Sequence, residues 1–235
     1  MKATLLDTRG PEIRSGKLRD DDSGHYNITL VQGNTITLQT DSKYETEGST
    51  ETDLFINYSK LHKSMSPGMK VLLDDGAVIL TVVSVDDASG SVTCVIDNTG
   101  DLRSRAGVNL PMAETDLPAM SEKDKADIKY GLEIDVDYVA ASFIQSADGV
   151  REIRAHMRQC AKELGWDDSR PLPLIISKIE SGSALKHFDE ILEASDGIMV
   201  ARGDLVRESS KYPCRSQIDA IECSHSEIYF VIIGC

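Results

Sequence analysis

Two apolar runs that end in charged residues are the part of this sequence best suited to chemistry. Residues 175–180 end in Lys178 and Glu180, and residues 197–204 end in Asp204. A buried parallel strand has a continuous apolar sequence, and the catalytic residues of α/β barrels gather at the carboxyl ends of such strands. One lysine and two carboxylates there can bind a divalent metal ion and neutralise a phosphate. The pattern therefore predicts a phosphoryl-transfer site.

The same residues also allow simpler interpretations. Lys178 and Glu180 are two positions apart on one strand, so they point to one face and could form only a surface ion pair. Asp204 could cap a helix, although Gly203 beside it would let the backbone approach a ligand closely. The apolar runs that precede these residues favour the functional interpretation.

A second polar segment, residues 6–14, continues a short apolar run near the start of the chain. Oxygens of Asp7 and Thr8 could ligate a cation, and the guanidinium of Arg14 could form a forked pair with a phosphate. A polar surface loop is the alternative. Further along, residues 74–76 (Asp-Asp-Gly) predict a hairpin turn rather than a metal site.

Composition and charge indicate the number of domains and exclude some classes of partner. The 235 residues suffice for one large or two modest domains, and 40% hydrophobic with 27% charged residues predicts a packed core. A net charge of −14 argues against nucleic acid or an anionic membrane as a main partner. Scattered cysteines, with neither a targeting segment nor a long apolar run, predict a cytoplasmic protein with reduced thiols.

Two patterns of secondary structure divide the chain. Residues 12–117 contain short runs of β-branched residues between turn signals, which predicts a small all-β barrel or sandwich. After a strand at Leu5, residues 117–204 alternate strand and helix, which predicts parallel pairing of the kind found in a (β/α)₈ barrel. The predicted strands are residues 137–143, 172–179 and 197–201. The predicted helices are residues 122–133, a helix that Ser146 caps and Gly165 ends, and residues 182–194. Beyond Leu205 the regularity fails.

Six segments, in order, resemble the pyruvate kinase family over about residues 2–205. They are residues 6–14, 107–111, 117–124, 141–144, 176–180 and 195–205. The resemblance implies an α/β fold: a partial (β/α)₈ TIM-type barrel with an inserted small all-β barrel lid domain. It implies these boundaries: barrel residues 1–11 and 118–205, lid residues 12–117, and a divergent tail at 206–235.

The resemblance also implies transfer of a phosphoryl group from phosphoenolpyruvate to ADP, giving pyruvate and ATP. Lys178 would be the catalytic residue that stabilises the phosphoryl group and contacts the substrate. Glu180 and Asp204 would ligate Mg²⁺ or Mn²⁺. The backbone of Gly203 and Asp204 would contact the substrate carboxylate.

A K⁺ site and a nucleotide site are implied as well. Asp7 and Thr8 would contribute to the K⁺ site, and Glu12 is the residue that accompanies K⁺ dependence in this family. Arg14 would contact the nucleotide phosphates, and Arg105 would stand in for a family lysine that is replaced here. The family suggests a homotetramer.

Some parts of the family pattern have no counterpart in the sequence. These are the first two and last two barrel strands, the C-terminal domain, a substrate-binding arginine, two K⁺ ligands and a threonine after strand seven. We therefore expect an open sheet with low stability and negligible turnover by the chain alone. One alternative is a non-catalytic chain that binds metal or nucleotide or joins intact subunits. Another is a different metal-dependent barrel enzyme acting on a keto acid.

Overall fold

The computed structural model describes residues 2–111, residues 113–201 and the backbone of residues 231–234. The chain divides into two compact units. We call Met1–Pro11 with Leu117–Cys235 the parallel unit, and Glu12–Asp116 the antiparallel unit. No helix among the described residues is both long enough and apolar enough to cross a bilayer.

Thirteen strands and six α-helices are described. The strands are β1 (Leu5–Asp7), β2 (Asn27–Leu30), β3 (Thr35–Gln39), β4 (Asp53–Phe55), β5 (Lys70–Leu73), β6 (Val78–Asp86), β7 (Ser91–Ile96), β8 (Gly100–Arg103), β9 (Val108–Asn109), β10 (Tyr138–Ala141), β11 (Leu174–Ile179), β12 (Gly197–Ala201) and β13 (Val231–Gly234). The helices are α1 (Ser42–Glu47), α2 (Leu61–Ser64), α3 (Glu122–Glu133), α4 (Ala147–Glu163), α5 (Gly182–Lys186) and α6 (Phe188–Ala194).

One parallel sheet forms the centre of the parallel unit. Its strand order is β1-β10-β11-β12-β13, with every neighbouring pair parallel. Alternate residues point to opposite faces of a strand. Apolar side chains on one face, such as Val139, Ile175 and Ile198, are fully buried in a core shared with the helices. The predicted α/β alternation with parallel pairing is confirmed.

Local capping determines where the helices of this unit begin. The Ser121 side chain accepts from the Asp124 N–H, and the Asp124 carboxylate accepts from the Ser121 N–H, which completes a capping box at the start of α3. The Ser146 side chain caps α4 by accepting from the N–H of Gly149, without a reciprocal bond. Both predicted helix starts are confirmed.

Two predictions for this unit are wrong. The single helix predicted at 182–194 is two helices, because His187 leaves the helical region with φ −105° and ψ 19°. The prediction of four strands followed by an irregular tail is also wrong, since β13 adds a fifth parallel strand beside β12. The β-branched residues of this segment favour extended backbone, and β12 offers an edge for it to pair with.

Antiparallel pairing dominates the other unit. Six strands form a sheet in the order β4-β3-β7-β6-β5-β9, and β2 pairs with β8 in a separate ribbon. Only β3 and β4 pair in parallel among the described strands of this unit. Strand β7 shows the expected alternation, with Val92, Cys94 and Ile96 buried between half-buried neighbours. Residues 74–76 form a short 3₁₀ turn between β5 and β6, as predicted.

The helix α1 was not predicted. None of its residues is buried, so no apolar periodicity announces it. Its ends do carry signals, because Asp41 accepts from the N–H of Lys43 and Gly48 ends the helix at φ 84°. Helix α2 is a single turn that begins at Leu61.

Candidate active site

Three neighbouring strands bring a polar cluster together at their carboxyl ends. Strand register pairs Asp7 of β1 with Ala140 of β10, and Ala140 with Ile176 of β11. Lys178 lies two residues beyond Ile176, so its side chain leaves from the same face. We call the side chains of Asp7, Ser142, Lys178 and Glu180, with the Thr8 carbonyl, the strand-end cluster.

Lys178 is the cation of this cluster. Its Nζ donates to Ser142 Oγ at 2.8 Å and to Asp7 Oδ1 at 3.2 Å, and lies 3.2 Å from Glu180 Oε1. Burial alone lowers the pKa of Lys178, but the charges of Glu180 and Asp7, with the hydrogen bonds to them, raise it above its ordinary value overall. The ammonium therefore keeps its charge at neutral pH.

Glu180 is a buried carboxylate, only 1% exposed. Its Oε2 accepts a 2.6 Å hydrogen bond from the backbone N–H of Phe143. Phe143 has φ 56°, in the left-handed region that a non-glycine residue seldom adopts. The surrounding structure thus holds a strained backbone in the conformation that places this N–H against the carboxylate.

The hydroxyl and the carbonyl of Thr8 are both hydrogen-bonded within the parallel unit. The hydroxyl donates to the Ala140 carbonyl at 3.2 Å and accepts from the Ser142 N–H at 3.1 Å. The Thr8 carbonyl accepts from Ser142 Oγ at 2.7 Å, which leaves it a second lone pair. Both polar functions of the side chain are thus used within the fold.

The donor chemistry of the strand-end cluster fits hard cations. Carboxylate, hydroxyl and carbonyl oxygens are the ligands that Mg²⁺ and other hard cations take. Three of these oxygens already converge on the Lys178 ammonium at 2.8–3.2 Å. Within residues 2–111 and 113–201, however, no group of three or more His, Cys, Asp or Glu side chains could hold a metal ion. The predicted Asp204 and Gly203 lie outside the described residues, so their pairing with Glu180 stays a prediction.

The two arginines predicted to bind nucleotide lie close together in the antiparallel unit. Arg14 Nη1 donates to the Arg105 carbonyl at 2.8 Å, and Arg105 itself has φ 56°. Glu12 Oε2 lies 2.7 Å from both Nε and Nη2 of Arg14. The fork of Arg14 is therefore already paired with a carboxylate, which a phosphate would have to replace.

Sequence patterns assign no role to Ser142 or Phe143. Both lie in the 141–144 segment at the end of β10. This position at a strand end is the sequence feature that could have identified them. Their functions depend on contacts with β1 and β11, which are far apart in the sequence. Ser142 links Lys178 to Thr8, and Phe143 secures Glu180.

Comparison with known proteins identifies the family of this chain. A family model described as "Pyruvate kinase, barrel domain" matches residues 1–213. Pyruvate kinase 1 of Trypanosoma brucei brucei is 42% identical over 200 residues, covering 85% of this chain and 37% of that protein. Pyruvate kinase of Dictyostelium discoideum is 42% identical over 203 residues, covering 86% and 37%. A probable pyruvate kinase, cytosolic isozyme, of Arabidopsis thaliana is 39% identical over 207 residues, covering 88% and 38%.

The chain therefore spans less than two-fifths of the length of these relatives. The family match nevertheless includes the three strand ends that carry the candidate site, together with all of the antiparallel unit. Coverage of most of the chain by the family model shows that this protein belongs to the pyruvate kinase family.

Proposed function

We propose that this chain carries a phosphoryl-transfer site of the kind that converts phosphoenolpyruvate and ADP to pyruvate and ATP, with negligible turnover by the chain alone. The observation that supports it best is the Lys178 ammonium, held charged by oxygens at the ends of three adjacent parallel strands. A loose phosphoryl transition state needs charge neutralisation and positioning more than covalent participation of the protein. A fixed cation beside metal-binding oxygens supplies both.

The charged side chains of the strand-end cluster and the Thr8 carbonyl then have these roles. Lys178 binds the substrate and neutralises charge on the transferred phosphoryl group. Glu180 and Asp204 hold Mg²⁺ or Mn²⁺, and the backbone of Gly203 and Asp204 contacts the substrate carboxylate. Asp7 and the Thr8 carbonyl hold K⁺. When bound, these ions neutralise charge on the substrate oxygens.

The rest of the chain fits the same proposal. Residues 1–11 and 118–205 would be a partial (β/α)₈ barrel, residues 12–117 an inserted all-β barrel lid, and residues 206–235 a divergent tail. Arg14 and Arg105 would bind nucleotide phosphates, supported by their contact within the antiparallel unit. A cytoplasmic location and a homotetramer belong to the proposal as well, and the name of the Arabidopsis relative supports the location.

A second candidate is a non-catalytic chain that binds metal or nucleotide or associates with intact subunits. The observation that favours it is the limited coverage, since the chain matches only 37% of the Trypanosoma enzyme. Binding and turnover must therefore be measured separately.

Mn²⁺ binding followed by electron paramagnetic resonance, together with a lactate dehydrogenase-coupled assay for pyruvate, tests the proposal. Glu180→Gln should weaken Mn²⁺ binding at least about tenfold, because a charged oxygen ligand is lost. Glu163→Gln, at an exposed glutamate of α4, is the matched control and should bind as the wild type does.

Lys178→Met should remove any pyruvate formation that the wild-type chain shows while leaving Mn²⁺ bound. Unchanged Mn²⁺ binding in Glu180→Gln, or pyruvate formation that survives Lys178→Met, would overturn the assignment. Mn²⁺ binding that depends on Glu180 without any pyruvate from the wild-type chain would select the non-catalytic candidate.

A further inference from the structure

Asp124 is a buried carboxylate whose two oxygens serve different parts of the fold. The residue is 1% exposed and lies at the third position of α3. Its Oδ2 accepts from the N–H and hydroxyl of Ser121, at 2.9 and 2.6 Å, within the capping box. Its Oδ1 accepts from the backbone N–H groups of Arg9 and Gly10, at 3.0 and 3.2 Å. A helix cap needs only the first pair, so the second pair requires another explanation.

The Arg9 hydrogen bond fixes the direction of the Thr8 carbonyl. Both groups belong to one peptide unit, and in a trans peptide the C=O and the N–H point in opposite directions. No cis peptide occurs in the described part of the chain. With the N–H held by Asp124, the carbonyl must face the other way, where Ser142 Oγ donates to it at 2.7 Å. Asp124 thus orients an oxygen of the strand-end cluster without touching the cluster itself.

The Arg9–Gly10 segment, which connects Asp124 to the strand-end cluster, has little room to move. A Cβ added at Gly10 would lie 2.9 Å from a ring carbon of Phe143 and 3.0 Å from the Ser142 carbonyl. Gly10 also has φ 75°, a conformation that a residue with a side chain seldom adopts. A displacement of the Arg9–Gly10 amides would therefore reach Ser142, which bonds to Lys178.

We propose that Asp124 is a positioning residue for the monovalent-cation site formed by Asp7 and the Thr8 carbonyl. The inference rests on the proposed function, which places K⁺ at these oxygens. The buried negative charge holds the two amides more tightly than a neutral acceptor would, because charge-assisted hydrogen bonds are stronger. The carbonyl is thereby directed toward the cation before the cation binds.

Thallium NMR on the full chain tests this, because Tl⁺ replaces K⁺ and its line broadens on binding. Line broadening that K⁺ reverses gives the affinity without requiring catalysis. Asp124→Ala should weaken Tl⁺ binding about tenfold, as loss of an outer-shell partner does at metal sites. Asp124→Asn, which keeps the size and one oxygen, should weaken it less, and it decides the matter if Asp124→Ala does not fold.

Two matched variants separate positioning from helix capping. Ser121→Ala removes the serine of the capping box but leaves the bonds from Oδ1 to Arg9 and Gly10. It should lower the melting temperature and leave Tl⁺ affinity within about twofold of the wild type. Glu122→Gln, at an exposed side chain in the same helical turn, should change neither.

The outcomes distinguish this inference from the proposed function. Unchanged Tl⁺ affinity in folded Asp124 variants overturns the positioning role alone. Weakening in Ser121→Ala as large as in Asp124→Ala overturns it too, because the effect would then come from the helix cap. If the wild type shows no Tl⁺ binding that K⁺ reverses, both this inference and the K⁺ site fail, while Mn²⁺ binding still tests Glu180 separately.

Discussion

The two units of this protein place opposite charges in contrasting surroundings. In the parallel unit, the Lys178 and Glu180 side chains are 15% and 2% exposed. In the antiparallel unit, Lys70 pairs with Asp97 at 2.7 Å, and these side chains are 47% and 28% exposed. The distances between charged atoms are similar, so the difference lies in the access of water.

Sheet architecture accounts for this difference. The antiparallel strand β7 alternates buried and half-buried residues, so its polar side chains leave the core at every second position. The parallel strand β11 has Ile175, Ile176 and Ser177 buried in succession, and its first charged side chain comes only near its end. Charge in a parallel sheet is therefore concentrated at strand ends, where burial is costly unless a ligand or partner makes use of it.

Loss of the buried cation should have the largest effect on stability at neutral pH. Lys178→Met leaves the buried carboxylate of Glu180 without the ammonium and should lower the free energy of unfolding by about 3 kcal/mol. Lys70→Met removes the cation of an exposed pair and should cost at most about 1 kcal/mol. Urea unfolding followed by circular dichroism measures both, and equal costs would show that burial does not distinguish the two pairs.

Two glycines, one in each unit, allow the packing around the backbone to be compared. Gly10 of the parallel unit has φ 75° and Gly33 of the antiparallel unit has φ 85°, so alanine is strained at both by about 1 kcal/mol. An added Cβ meets Phe143 and Ser142 within 3.1 Å at Gly10 but nothing within 4 Å at Gly33. Gly10→Ala should therefore cost about 1–2 kcal/mol more than Gly33→Ala in urea unfolding. A smaller cost at Gly10 would mean that the segment around it is not closely packed.

Features that depend on neighbours in the sequence could be predicted. The Ser121 and Ser146 caps and the alternation of strands with helices from 117 onward follow from local residue types, and the structure has them. Lys178 and Glu180 were predicted to share a strand end, and they lie 3.2 Å apart. The break at His187 and the exposed helix α1 were not predicted, because neither alters the local apolar pattern.

Features that depend on contacts between distant segments could not be predicted. Ser142 joins Lys178 and Thr8 only because β10 lies between β1 and β11 in the sheet. Asp124 is recognisable from sequence as a capping residue, but its bonds to Arg9 and Gly10 span more than 110 positions. Sequence patterns thus identify residues that can do chemistry, whereas the residues that position them become visible once the strand order is known.

The buried cysteines of the two units should make the stability of the protein depend on pH under alkaline conditions. Burial raises the pKa of Cys94, in the antiparallel unit, from 9.0 to about 12, and it raises the pKa of Cys160, in the parallel unit. Because the folded pKa is raised, the stability from the protonated thiol is complete below pH 9 and is lost as the pH rises toward 12. The free energy of unfolding should fall by up to about 1.4 kcal/mol per pH unit in that range through Cys94.

Cys94→Ala should remove the contribution of Cys94 to the pH dependence of the free energy of unfolding. Cys160→Ala should remove a smaller contribution. Urea unfolding at intervals between pH 9 and pH 12 measures the slopes, and a cavity left by alanine only shifts each curve by a constant amount. An unchanged slope in Cys94→Ala would contradict the prediction, because it would mean that ionisation of this thiol does not favour the unfolded state. Unlike Lys178, whose buried charge is held by oxygens, Cys94 is stable in its core only while it remains neutral.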